Sequence, residues 1–113
     1  MTTVSGAVYV GEPIRLAYQT VKTGMTAVVR HIASRWGHDG IRANAVAPGM
    51  VPGPELLATS DQAALDRMMR MARSNRLGTA DDIASMVTFL LSDDGSWVTG
   101  QVIAVDGGVT MRP

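Results

Sequence analysis

The five residues Tyr18-Gln19-Thr20-Val21-Lys22 open the most regular helical pattern in this 113-residue sequence. Beyond them, apolar residues recur at intervals of three and four, which predicts a helix from Tyr18 to Trp36 with one buried face. The residues of that face are Val21, Met25, Val28, Val29, Ile32, Ala33 and Trp36. Tyr18 and Lys22 are four residues apart, so they project from the same side of the helix, about 6 Å apart along its axis.

This pairing of a phenol with an ammonium group has a chemical use. A phenol with a pKa of about 10 exchanges its proton poorly at neutral pH, whereas a nearby ammonium group favours the phenolate and lowers that pKa. General acid–base catalysis benefits from such a shift. Tyr18 and Lys22 are therefore candidate catalytic residues, although the pattern alone also fits an aromatic residue and a lysine on an ordinary surface helix.

Composition narrows the class of protein. Hydrophobic residues make up 46% of the sequence, which is enough for a packed core. Ten basic residues balance ten acidic ones without a long basic run, which argues against a nucleic-acid partner. The sequence has no cysteine, so disulfides and thiolate catalysis are excluded. His31 and His38 have no cluster of carboxylates nearby, and we therefore expect no metal site.

The termini and the hydropathy pattern indicate a cellular location and a fold context. No run of about 18 apolar residues occurs, and the N-terminus lacks a charged-then-apolar signal layout, so we expect a soluble, cytoplasmic protein with no membrane partner. Met1–Gly6 reads as the end of a strand that runs into a loop, with nothing before it to pair with. We therefore expect the chain to be the C-terminal part of a larger fold.

The segment after the long helix predicts a strand followed by a loop. The sequence Gly37-His38-Asp39-Gly40 predicts the end of the helix, because glycine just past the last periodic residue terminates helices. The apolar run Ile41–Ala47, closed by Pro48-Gly49, predicts a buried parallel strand. Met50–Thr59 contains two prolines and a glycine, which predicts an irregular, mobile loop that acts as a lid.

The last third of the sequence predicts two helices and a strand. Asp61–Arg73 has one apolar side, and a second helix begins at a Thr79 cap, with Asp82 in capping-box position, and ends near Ser92. Gln101–Val105 is the final strand. Because strands alternate with helices, the sequence predicts an α/β protein with a parallel sheet.

Four motifs in this order resemble a known family. They are Tyr18-x-x-x-Lys22, Asn44-Ala45-Val46-Ala47-Pro48-Gly49, Asp82-Ile83-Ala84 followed by Phe89-Leu90 and Thr99-Gly100, and Val105-Asp106-Gly107-Gly108. In order and spacing they resemble the C-terminal half of the short-chain dehydrogenase/reductase family. The resemblance implies that residues 1–113 are the catalytic C-terminal part of a Rossmann-like, doubly wound parallel sheet without its first βαβ units. It also implies NAD or NADP as the cofactor and a small carbonyl or alcohol as the substrate.

The resemblance also implies roles for individual residues. Tyr18 matches the family's proton donor or acceptor, and Lys22 matches the lysine that lowers the pKa of the tyrosine and binds the nicotinamide ribose. The family's substrate-orienting serine lies thirteen residues before the tyrosine, which gives Ser5. However, Thr2–Gly6 also resembles the family's Ser-Ser-x-x-Gly strand end, which would give that role to Thr3. We favour Ser5 because it requires no insertion in the following loop.

The resemblance also implies that the turn after the predicted strand contacts the cofactor. Pro48-Gly49 matches the turn after which backbone groups meet the nicotinamide carboxamide, so Val51 is the candidate for that contact. Where the family often has a threonine, this chain has Pro52-Gly53-Pro54, which departs from the pattern. The three-residue gap between Tyr18 and Lys22 resembles the carbonyl and alcohol reductases of the family more than its enoyl reductases.

Two hypotheses follow. The family's glycine-rich pyrophosphate turn, the residue that selects NAD or NADP, and an Asn-Asn-Ala-Gly strand end do not occur in this sequence. The first hypothesis is an oxidoreductase whose isolated 113-residue part is inactive. The second is a non-catalytic part that acts only by association, through the Tyr18–Trp36 helix and the last helix and strand, surfaces by which the family forms dimers and tetramers.

Overall fold

Three short parallel strands form the sheet of the computed structural model, which describes residues 1–11 and 13–111. The strands are β1 (Thr2–Thr3), β2 (Ala45–Pro48) and β3 (Val102–Val105), and they lie side by side in that order. β2 pairs in parallel with both neighbours. The α/β class and the parallel sheet predicted from the sequence are therefore confirmed.

β2 is the most deeply buried element of the fold. Ala45, Val46 and Ala47 have no exposed surface, as expected for a central strand that is covered on both sides. The predicted start of this strand at Ile41 was wrong by four residues. The backbone of Ala43 bonds to the loop before β3, since its N–H donates to the Thr99 hydroxyl and its carbonyl accepts from Gly100 N–H.

The long helix α1 (Leu16–Trp36) follows the prediction closely, but its buried face is narrower than predicted. Val29 is buried in the core, and the half-buried Met25, Ile32 and Ala33 pack beside it. The predicted face was wrong at three positions, because Val21, Val28 and Trp36 are 63%, 45% and 38% exposed. One stripe of α1 covers the three-stranded sheet, and these other apolar side chains of the helix remain partly exposed.

α1 ends at Trp36, directly before the Gly37-His38-Asp39-Gly40 sequence, as predicted. Gly37 keeps a right-handed conformation and begins a single 3₁₀ turn, Gly37–Asp39. Gly40, with φ of 80°, adopts the left-handed conformation that terminates the helical segment. The glycine that reverses the chain is therefore the second one of the Gly-His-Asp-Gly sequence.

The segment predicted to be an irregular lid contains a helix. α2 spans Pro54–Thr59, and Pro54 lies in its first turn, where a missing N–H costs no hydrogen bond. The loop prediction was wrong because a proline in the first turn begins a helix instead of interrupting it. α3 (Gln62–Met71) follows, and the Asp61 carboxylate caps it by accepting from Ala64 N–H at 2.7 Å.

The last helix, α4 (Ala80–Leu91), has the predicted capping box. The Thr79 hydroxyl accepts from Asp82 N–H, and the Asp82 carboxylate accepts from Thr79 N–H at 2.8 Å. The same carboxylate forms a two-point ion pair with Arg76. Hydrogen bonds from Arg76 and Thr79 hold the pKa of Asp82 far below its ordinary value, and the partner carboxylate raises the pKa of Arg76.

Within 1–11 and 13–111, no helix combines the length and apolar character needed to cross a membrane. In that part of the chain, no three His, Cys, Asp or Glu side chains are grouped closely enough to hold a metal ion.

Candidate functional site

Tyr18 and Lys22 meet beside the carboxyl end of β1. Lys22 Nζ lies 5.7 Å from the centroid of the Tyr18 ring and donates a hydrogen bond to the Thr3 carbonyl at 3.0 Å. Tyr18 is 38% exposed and Lys22 is half-buried, so both remain open to a ligand. The shared helix side predicted from their spacing is present in the structure. Ligands of open α/β sheets bind at this carboxyl edge.

Both candidates for the substrate-orienting hydroxyl lie at the same strand end. Thr3 is the last residue of β1 and has an exposed side chain. Ser5 is half-buried two residues later, where its Oγ accepts from Ala7 N–H at 3.2 Å and caps the 3₁₀ turn Gly6–Tyr9. A hydroxyl that accepts in this way still has its own O–H to donate.

Arg15 is a neighbour of Tyr18 that the sequence interpretation did not identify. Its guanidinium carbon lies 5.1 Å from the centroid of the Tyr18 ring, so the ring lies within cation–π distance of two cations, Arg15 and Lys22. The available signal was its spacing, because a residue three positions before Tyr18 lies about one helical turn away. It went unnoticed because Arg15 precedes the first residue of the predicted helix.

Pro48 is the last residue of β2, and Gly49 and Val51 follow it at the neighbouring position on the same edge. Gly49 N–H donates to the Val105 carbonyl at 3.0 Å, and a Cβ on Gly49 would come within 2.6 Å of the Asp106 Cβ, so only glycine fits here. This close contact fixes the turn. Among the described residues, the half-buried Val51 has a backbone N–H without a protein partner.

Asp106 holds the turn that follows β3. Its carboxylate accepts from Gly108 N–H at 3.0 Å and from both the N–H and the hydroxyl of Thr110. Burial alone would raise the pKa of Asp106, but the hydrogen bonds from Thr110, Gly108 and Val109 outweigh it, and the net pKa lies below the ordinary value of 3.8. This carboxylate has a structural role, because it fixes the glycine turn against which Gly49 packs.

A cavity of about 170 Å³ lies beyond the ends of β2 and β3. It is lined by Met50, Val51, Met68, Ala72, Ser74, Arg76, Leu77, Gly78, Asp82, Ile83, Val105, Asp106, Gly107 and Val109. Two methionines, Met50 and Met68, are among these residues. Tyr18 and Lys22 are not, so the cavity and the paired side chains occupy separate parts of the sheet edge.

The residues at this edge fit the nicotinamide end of a dinucleotide. A lysine ammonium has three N–H donors, and Lys22 uses one of them on the Thr3 carbonyl, which leaves donors for ribose hydroxyls. The unpaired N–H of Val51 is a suitable donor for a carboxamide oxygen. The pyrophosphate end has no comparable cradle, because the sequence contains no glycine-rich Gly-x-Gly-x-x-Gly turn.

Comparison with known proteins identifies the family. A family model described as enoyl-(acyl carrier protein) reductase matches residues 1–110. A probable short-chain type dehydrogenase/reductase of Bradyrhizobium diazoefficiens is 38% identical over 99 residues, which cover 88% of this chain and 35% of that protein. The chain belongs to the short-chain dehydrogenase/reductase family. The predicted family is thereby confirmed, and so is the fold as part of its Rossmann-like sheet.

Solved structures of the short-chain dehydrogenase/reductase family superpose well on the chain. The structure of 4-hydroxyisoleucine dehydrogenase complexed with NADH and succinate has a TM-score of 0.84 at 28% identity, over 96% of this chain and 44% of that one. A blue fluorescent protein from a metagenomic library in complex with NADPH has a TM-score of 0.83 at 31% identity, over 96% and 44%. The chain thus spans less than half the length of these relatives.

Proposed function

We propose that the polypeptide to which these residues belong is an NAD(P)-dependent oxidoreductase that acts on a small carbonyl or alcohol substrate, with Tyr18 as the general acid and base. The observation that carries this proposal is the pairing of Tyr18 with Lys22 at the carboxyl end of β1, in a chain of an oxidoreductase family. The three-residue gap between Tyr18 and Lys22 resembles the carbonyl and alcohol reductases of the family more than its enoyl reductases.

The residues of this chain account for the proton side of the reaction. When bound, the nicotinamide supplies or accepts the hydride. In reduction, the carbonyl carbon gains that hydride as its π bond to oxygen breaks, and the oxygen takes the proton from the Tyr18 hydroxyl. The Lys22 ammonium lies close enough to stabilise the resulting Tyr18 phenolate, which regains a proton from solvent. Oxidation runs through the same groups in reverse.

Ser5 has the role of orienting the substrate in this proposal. Its Oγ accepts from Ala7 N–H, which fixes the oxygen and leaves the O–H to donate to the substrate oxygen, where negative charge develops. Thr3 is the alternative donor, because it ends the same strand and its carbonyl binds Lys22.

The cofactor is proposed to be a nicotinamide dinucleotide held by Tyr18, Lys22, Pro48, Gly49 and Val51. One structural neighbour is a complex with NADH and another a complex with NADPH, which supports this cofactor class and leaves both members of it as candidates. On its own, the 113-residue chain is expected to bind neither tightly, because it has no pyrophosphate cradle.

A cofactor titration tests this proposal. The fluorescence of Trp36 and Trp97 is followed while NADH or NADPH is added to the 113-residue chain and to the full polypeptide to which it belongs, and both are assayed with a panel of small ketones and alcohols. We expect binding and turnover from the full polypeptide and none from a chain lacking the pyrophosphate cradle. A folded full polypeptide that binds neither cofactor would contradict the proposal.

A second candidate function is association without catalysis. The observation that favours it is an exposed apolar stripe on α1 formed by Val21 and Val28, which are seven residues apart on one face and are 63% and 45% exposed. Sedimentation of the 113-residue chain separates the two functions: self-association of a chain that never binds NAD(P)H favours this role, whereas tight cofactor binding by the chain alone contradicts it. In an active enzyme the same stripe would be covered in a homo-oligomer, dimer or tetramer.

A further inference from the structure

Gln19, the residue after Tyr18, connects α1 to the segment that carries Ser5. Its side-chain amide donates two hydrogen bonds, one to the Ala7 carbonyl at 3.0 Å and one to the Val10 carbonyl at 2.7 Å. A glutamine amide has two N–H donors, and both are used here. The side chain is half-buried, in contrast to the exposed glutamines Gln62 and Gln101.

A second side chain of α1, that of Lys22, also bonds to this segment. Lys22 donates to the Thr3 carbonyl. Gln19 donates to the carbonyl of Ala7, within the 3₁₀ turn that begins after Ser5, and to that of Val10, which follows the turn. Gln19 and Lys22 are three residues apart and therefore neighbours on the helix surface. Ser5 lies in the sequence between the carbonyls that accept these bonds, Thr3 on one side and Ala7 on the other. The two donors, Gln19 and Lys22, lie within one helical turn of Tyr18 on α1.

We propose that Gln19 is a positioning residue that holds the Ser5 hydroxyl in its working place relative to Tyr18. This inference rests on the proposed function, in which these two hydroxyls act on one substrate oxygen. Ser5 belongs to a loop rather than to a regular element, so its position depends on such contacts. A displacement of about 1 Å in a catalytic group can cost about 100-fold in rate.

Substitutions of Gln19 separate positioning from packing. Gln19→Glu keeps the shape but removes both donors, Gln19→Ala removes the whole group, and Gln19→Lys restores donors to the two carbonyls. Kinetics are measured on the full polypeptide to which these residues belong, with Gln101→Ala as the control, because that side chain also donates to a backbone carbonyl, that of Thr99, in an exposed loop.

We expect Gln19→Ala and Gln19→Glu to lower kcat by about 10- to 100-fold while the KM for the nicotinamide cofactor stays within twofold. Gln19→Lys should recover most of the rate, and Gln101→Ala should behave like the unmodified protein. The inference is overturned if Gln19→Glu keeps kcat within twofold. It is also overturned if kcat, cofactor KM and melting temperature all worsen together without rescue by Gln19→Lys.

A measurement on the 113-residue chain tests the geometry without any activity. In an NMR spectrum, the side-chain NH₂ protons of Gln19 should exchange with solvent at least tenfold more slowly than those of Gln101. Equal exchange rates would overturn the inference. Failure of the proposed function looks different: it appears as a Tyr18→Phe protein with full activity, whatever the behaviour of the Gln19 variants.

Discussion

Lys22 is the only lysine among the ten basic residues of the sequence, and the other nine are arginines. At this position the two side chains are not equivalent. An ammonium is a compact charge with three donors on a flexible stem, whereas a guanidinium is a planar fork suited to carboxylates and phosphates. A compact donor suits a site in which one N–H binds the Thr3 carbonyl and the charge lies beside a phenol ring.

Removal of the Lys22 charge should therefore reduce activity far more than stability. Lys22→Met is expected to lower kcat/KM of the full polypeptide by about 100-fold or more, a typical contribution of acid–base assistance. Arg35→Met is the matched control, because Arg35 is exposed in the last turn of the same helix. Steady-state kinetics together with a melting curve give the result, and equal losses from both variants would argue against a role for Lys22.

Pairs at fixed spacing could be predicted from the sequence, whereas contacts between separate segments could not. The distance between Tyr18 and Lys22 depends only on helix geometry, which the apolar period reveals. Gln19 was missed as part of the site, because its contacts depend on how residues 5–10 fold back over the start of α1. No local pattern records that fold.

At the scale of elements, the residues before β2 bind the loop before β3 instead of extending the strand. The buried Asn44 side chain donates to the Val98 carbonyl at 2.7 Å and accepts from Gln101 N–H at 3.0 Å. Arg42 donates to the carbonyls of Leu90 and Gly95, at the end of α4 and in the turn after it. These long-range bonds explain why the predicted strand began too early.

Asn44→Ala should destabilise the fold, because it leaves the Gln101 N–H without its partner and removes the shorter of two hydrogen bonds to the Val98 carbonyl, the other coming from Arg42 at 3.4 Å. A buried unpaired polar group costs about 1–3 kcal/mol, so we expect the free energy of unfolding to fall by about 2–4 kcal/mol. The chain has one other asparagine, the exposed Asn75, and Asn75→Ala is the control. Urea denaturation measures both; a change below about 1 kcal/mol for Asn44→Ala would contradict this role.

At the scale of the whole molecule, the class of fold could be predicted from the sequence. The extent to which the sheet buries the apolar residues of α1 could not. The alternation of helix and strand patterns gave the parallel sheet correctly, and the capping box at Thr79 was correct in detail. The apolar period of α1, however, did not show which of its apolar residues the three-stranded sheet covers. Val21 and Val28 are exposed because burial depends on the number of neighbouring elements, which a helix sequence does not record.

The hydrogen bonds to Asp106 predict that the fold loses stability in acid. Because its pKa in the folded chain lies below the ordinary value of 3.8, the ionised carboxylate stabilises the fold fully above about pH 4, and this contribution is lost as the pH falls through the lower folded value. Urea midpoints measured from pH 6 to pH 2 should therefore decline below about pH 4. Asp106→Asn should flatten that decline, and Thr110→Val, which removes one donor, should give an intermediate slope.

The central claim is that Tyr18 is the proton-transferring group of a nicotinamide-dependent oxidoreductase. The sequence contains two tyrosines, and the other one, Tyr9, donates its hydroxyl to the Val102 carbonyl at 2.9 Å. The most direct measurement compares NAD(P)H oxidation by the Tyr18→Phe and Tyr9→Phe forms of the full polypeptide. The account predicts that Tyr18→Phe abolishes turnover while cofactor binding persists, and that Tyr9→Phe keeps most of the rate; undiminished turnover by Tyr18→Phe would contradict it.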